Sequence, residues 1–174
     1  LIGNTHWSEI AEKEFLSTSK IYQLRADIFD FADELGYSCS KQQLKLPEKD
    51  LRYLLLAIAR YTGERSAIPF NKMIASAAEE LIDYVEEHFF ARDYPESERE
   101  IIILGIQLSN HRARQATITF SDEDKICAQQ TPLFGLLREG LKTLKSTICA
   151  NEEELFFIYS LFNARNYLCN NLEL

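Results

Sequence analysis

The stretch SEIAEKEFLSTSKIYQLRADIFDFADELG, residues 8–36, decides the reading of this chain. With the residue before it, it sets Trp7, Ile10, Ala11 and Phe15 at helical spacing, with charges between them. Leu16, Ser17, Thr18 and Ser19 then interrupt with side chains that cap helices. From Lys20 the period resumes, with Ile21, Leu24, Ile28, Phe31 and Leu35 three or four apart, and Gly36 supplies a stop. The pattern predicts a short helix, a tight turn and a longer helix.

Two readings fit that pattern. One is an ordinary helical hairpin. The other is a helix-turn-helix, whose first helix braces against the DNA backbone while the second offers its N-terminal residues to base edges. The residues so offered are Ser17, Thr18, Ser19, Lys20, Tyr22 and Gln23, followed by Arg25. Hydroxyls and amides at a helix start suit phosphate oxygens, and Lys20, Gln23 and Arg25 have the reach and donors for phosphates or bases. Asp27, Asp30, Asp33 and Glu34 crowd the later part of the same helix and would repel a phosphate backbone.

Working outward, Tyr37-Ser38-Cys39 and Leu44-Lys45-Leu46 flank a polar Ser40-Lys41-Gln42-Gln43, a small hairpin that would serve as a wing carrying Lys41. After Pro47, Leu51, Leu54, Leu55, Ile58 and Tyr61 form an apolar stripe ending at Thr62-Gly63. A linker, residues 64–69, precedes a segment in which Ile74, Ala77, Ala78, Leu81, Val85 and Phe89 face one way and Glu79, Asp83, Glu86 and Glu87 another. Residues 101–108 are apolar on most sides and predict a central buried helix. Residues 116–130 have no helical period and read as a loop. Thr131-Pro132 is a cap with proline at the first helical position, and Asn151-Glu152-Glu153-Glu154 is a capping box. The expectation is a mainly α chain: a partial winged helix-turn-helix over residues 1–63, then a helical bundle over 64–174.

Composition agrees with that class. The chain has 174 residues, 46% hydrophobic, with only 6 glycines and 4 prolines, too few turn residues for a many-stranded β architecture. No apolar run approaches the roughly 18 residues of a membrane span, and no signal peptide is visible, so a cytoplasmic protein without membrane contact is expected. The net charge of −8 is uneven, −1 over residues 1–65 and −7 over 66–174, which suggests two modules. Cys39, Cys127, Cys149 and Cys169 form no CxxC pair and read as reduced, mostly buried thiols.

No metal, cofactor or catalytic pattern emerges. A di-metal bundle needs Glu-x-x-His, but the residue three before His88 is Val85. His6 and His111 lack ligand spacing as well, and no phosphate-binding or nucleophile-elbow string is present. The expectation is a protein that is not an enzyme.

The quoted stretch resembles the helix-turn-helix of Mga-type transcription regulators of Gram-positive bacteria. Ile10-Ala11-Glu12-Lys13 is similar to its first helix, Phe15-Leu16-Ser17 to its turn and Ile21-Tyr22 to the start of its recognition helix. The arginine usual after the tyrosine is Gln23 here, and Asp27 and Asp30 replace lysines. Residues 44–53, with Arg52, resemble the wing and the following helix start. From Asn71 onward the chain is similar to a phosphotransferase-system regulation domain, most of all over residues 100–120 and 152–162. The resemblance implies a dimeric regulator of double-stranded DNA that a phosphotransferase-system protein contacts. It also implies histidine phosphorylation, yet the two matching positions hold Gly105 and Leu161, leaving His111 as the fallback. A fragment of a longer regulator, lacking the helix that precedes the motif, is expected. The rival reading is a protein-interaction or dimerisation module whose helix-turn-helix has ceased to bind DNA.

Overall fold

The computed structural model describes residues 7–34, 39–40, 43–44, 46–63, 68–89, 93–144, 147–148 and 151–170. Among them the protein is mainly α, with eight helices and one two-stranded hairpin. The chain divides into two compact units, Leu1–Pro47 and Glu48–Leu174.

The first unit holds α1 (Trp7–Lys13), α2 (Thr18–Glu34) and a hairpin of β1 (Cys39–Ser40) and β2 (Gln43–Leu44). The end of α1 is closed by Leu16 N–H donating to the Ala11 carbonyl at 2.8 Å and Phe15 N–H to that of Glu12 at 3.3 Å. That pair of bonds is a Schellman closure, and it requires a left-handed residue at its centre. Phe15 takes that place with φ +53°, where glycine is usual. Ser17 then caps α2, its Oγ accepting from Lys20 N–H at 3.2 Å. Ala11 and Ile21 of the predicted stripe are buried, but Phe15 is 97% exposed, because its left-handed turn takes it off the helix face, and Ala32, outside the stripe, is buried. The strands pair antiparallel, Cys39 opposite Leu44 and Ser40 opposite Gln43, as the sequence suggested. The expected stop at Gly36 lies outside the described residues.

The second unit holds α3 (Glu48–Thr62), α4 (Lys72–His88), α5 (Glu96–Arg112), α6 (Asp122–Gln129), α7 (Pro132–Thr143) and α8 (Glu152–Asn170). Helix α5 packs against α3, α4 and α8 at once. That position explains why its run from Ile102 to Ser109 alternates no polar face: all but Ile103 are buried. Leu81, Ile82 and Val85 of α4, Leu137 of α7 and Phe157, Ile158 and Phe162 of α8 complete the core around it. Caps fix the helix starts. The Asn71 side chain accepts from Met73 and Ile74, and Thr131 accepts from Phe134 with Pro132 at the first turn.

Three expectations are corrected. The division falls after Pro47 and not after residue 63, because α3 packs on α5 and belongs to the second unit. Residues 116–130 are not all loop, since α6 forms within them. Its helicity comes from its start and not from a stripe: Ser121 accepts from Asp124 N–H, and Asp122, Glu123 and Asp124 oppose the positive end of the helix. Finally, Cys127 is an exposed free thiol and not a buried one. The side chains of the other three cysteines lie outside the described residues.

Candidate functional site

The start of α2 is on the surface. Ser17, Thr18, Ser19, Lys20 and Gln23 are exposed, and Tyr22 is 56% exposed. Arg25 differs from them. It is half-buried, with its guanidinium carbon 5.1 Å from the Phe29 ring centre and 5.9 Å from that of Trp7. A cation over two rings is held by attraction to their faces, so Arg25 ties α2 to α1 and does not project with Lys20. Asp27, Asp30, Asp33 and Glu34 are exposed along the rest of the helix. The side chain of Lys41 lies outside the described residues.

In the second unit a few charged residues turn inward. Arg52 on α3 is 0% exposed and Glu154 on α8 is 2% exposed. Arg52 Nη1 and Nη2 donate to the two Glu154 oxygens at 2.5 and 2.9 Å, the planar fork that suits a carboxylate. Its Nε donates to Glu48 Oε1 at 2.8 Å, and Ser109 Oγ donates to Glu154 Oε2 at 2.5 Å. Arg112 on α5 grips Glu48 with a second fork, at 2.5 and 2.7 Å. Two arginines and two glutamates thus bridge α3, α5 and α8 with no net charge. Burial alone would raise the Glu48 carboxyl, but the hydrogen bonds from Arg112 and Arg52 outweigh it and hold the group below its ordinary value of 4.5. Burial would likewise weaken the Arg52 cation, and its bonds to Glu154 and Glu48 more than compensate.

Sequence reasoning placed Glu154 in a capping box. Only half of that box forms: Asn151 Oδ1 accepts from Glu154 N–H at 2.9 Å, while the Glu154 carboxylate turns to Arg52. Nor is the acidic side of α4 all solvated. Glu86 accepts from Arg99 at 2.6 Å and from Tyr94 N–H at 2.7 Å, while Asp83 takes the other Arg99 amine at 2.6 Å.

The positions to which the resemblance assigns histidine meet in the core. A Cβ built at Gly105 would fall within the Leu161 isopropyl group, so no imidazole fits at 105 unless Leu161 moves. His111 is half-buried, with its Nε2 at 3.0 Å from the Gln115 side-chain nitrogen. His88 stacks on Tyr84 at 4.2 Å. Among the described residues no group of three His, Cys, Asp or Glu could hold a metal ion.

One feature of the second unit went unforeseen. An open cavity of about 670 Å³ lies among α3, α5, α6 and α8. Tyr53 and Leu56 of α3 form one wall and Phe156 and Tyr159 of α8 another, with Phe120 and Ile101 between them. The space exists because α3, α6 and α8 carry alanines there, Ala57, Ala128 and Ala164. That small-residue coincidence on three helices is the signal a sequence could offer. The lining is largely apolar. Its polar groups are Tyr53 Oη donating to Ser160 Oγ at 2.6 Å, Tyr159 Oη accepting from Asn163 Nδ2 at 3.1 Å, and the charges of Lys49, Arg60 and Asp124.

Compared with family models, with curated proteins and with solved structures, the chain matches none. Among the described residues no helix is long and apolar enough to cross a membrane.

Proposed function

We propose that this chain is a transcription regulator of the Mga type, working in the bacterial cytoplasm as a homodimer. Its first unit contacts double-stranded DNA through the start of α2, as a winged helix-turn-helix, and its helical second unit controls assembly or activity. The observation that carries this reading is the exposed cluster Ser17, Thr18, Ser19, Lys20 and Gln23 at a capped helix start, directly after a short helix and turn. Contact with a phosphotransferase-system protein belongs to the same reading, with His111 as the acceptor that the sequence leaves. A second reading, a protein-interaction module, draws support from Arg25 being engaged by Trp7 and Phe29 and from the acidic run after it. It also draws support from Phe15, which is 97% exposed.

Titration of the chain against promoter DNA over a range of salt separates the two. Each phosphate contact contributes about −0.9 to the slope of log affinity on log salt, so Lys20→Ala is expected to flatten it by about one unit. Arg25→Ala leaves the slope nearly unchanged and loosens the first unit instead. A Lys20→Ala slope equal to that of the parent, or no binding at low salt, discards the DNA reading in favour of the interaction module.

A further inference from the structure

We infer that the cavity in the second unit is a binding site for an amphipathic monoanion, an apolar body bearing one carboxylate. Its volume of about 670 Å³ lies in the range of roughly 300–1,000 Å³ that small-molecule sites occupy. The apolar body is matched by Leu56, Phe156, Tyr159 and Leu161, which line the interior. The carboxylate is matched by the charge at the mouth. Lys49 and Arg60 face a single acid, Asp124, so the lining carries one uncompensated positive charge.

The two cations are not equivalent. Lys49 is spent on Asp124, 3.8 Å away, and on the Phe120 ring at 5.5 Å. Arg60 is exposed and forms no ion pair with a described residue, and a guanidinium at that place has the fork geometry that suits a carboxylate. The hydroxyls of Tyr53 and Ser160 satisfy one another and the Phe157 carbonyl, both bonds at 2.6 Å, so they ask for no polar group deep in the site. The arrangement therefore selects for charge at the Arg60 end and for none inside. This site stands on the second unit alone and does not depend on DNA contact by the first.

Calorimetric titration of the whole chain with sodium decanoate, kept below its micelle threshold, and with decanol as the uncharged counterpart is the test. Decanoate is expected to bind one to one and roughly tenfold more tightly than decanol, the scale of one charge-assisted contact. Arg60→Ala, at an exposed position, should bring decanoate down to the level of decanol and leave decanol unchanged. Ala57→Trp, also exposed and at the wall, should fill the space and abolish both. Absence of decanoate binding overturns the proposal. Equal affinities for the two probes, or binding undiminished in Ala57→Trp, overturns it too.

Discussion

The two units of this chain use charge in opposite ways. In the first, the described acids and bases other than Arg25 are displayed: Lys20, Asp27, Asp30, Asp33 and Glu34 are exposed, and burial falls to Ala11, Ile21 and Ala32. In the second, two arginines and two glutamates are drawn into the core and satisfy each other. The difference follows from size. A unit of about 47 residues buries too small a fraction of its surface to exclude water from an ion pair. The larger unit buries Arg52 with its guanidinium 5.1 Å from the Phe157 ring centre. A small module is left with a surface it can show to a partner, while a large one can use ionic contacts to decide which helices pack together.

Breaking the network gives the largest effect. Glu154→Ala leaves Arg52 buried with only Glu48 as partner, and a buried charge stripped of its mate costs about 3–5 kcal/mol. Trp7 is the only tryptophan and lies in the first unit, so its emission follows that unit while ellipticity follows mainly the second. Urea titration of Glu154→Ala should move the ellipticity midpoint far more than the emission midpoint. The double variant Arg52→Met with Glu154→Leu should recover part of the loss, because an apolar pair can replace an ionic one. Coincident shifts in both probes would erase the contrast between the units.

Acid acts on the same network more gently. Glu48 titrates lower in the folded protein than when unfolded, so its contribution is complete above about pH 4.5 and is lost as pH falls through the lower, folded value. Melting followed by ellipticity should therefore decline below that pH, and Glu48→Gln should flatten the decline. The smallest effect belongs to the first unit. Phe15→Gly removes a left-handed strain of about 1–2 kcal/mol, offset by the greater freedom of unfolded glycine. A net gain of about 0.5–1 kcal/mol in the emission-detected transition is expected, and a loss would mean that the ring supports the fold.

How much of this was legible depended on the range of each interaction. Helices α2 and α4 announced themselves by stripes and α5 by an unbroken apolar run, and Thr131-Pro132 and Asn151 marked helix starts by local capping chemistry. Helix α6 did not, because among its residues only Ala128 is buried, and a helix held by its cap leaves no apolar period. The unit boundary was misplaced for a related reason. The stripe of α3 says that it packs but not on what, and its bond from Arg52 to Glu154 joins residues 102 apart. The cavity escaped because it depends on alanines from three helices meeting in space. At the α2 surface, spacing alone gave Arg25 the same orientation as Lys20. The rings of Trp7 and Phe29 decide otherwise.

That same separation sets a clock during synthesis. A ribosome adding about 5–20 residues per second delivers Glu154 roughly 5–20 s after Arg52. The first unit is complete in sequence before α3 emerges and can close on local contacts as it is made. Arg52 must instead wait, still hydrated, until α8 has left the tunnel, although α5 can shelter the apolar side of its helix earlier. The nascent second unit thus stays open to capture or aggregation until α8 emerges, and any premature stop before α8 strands Arg52 without Glu154.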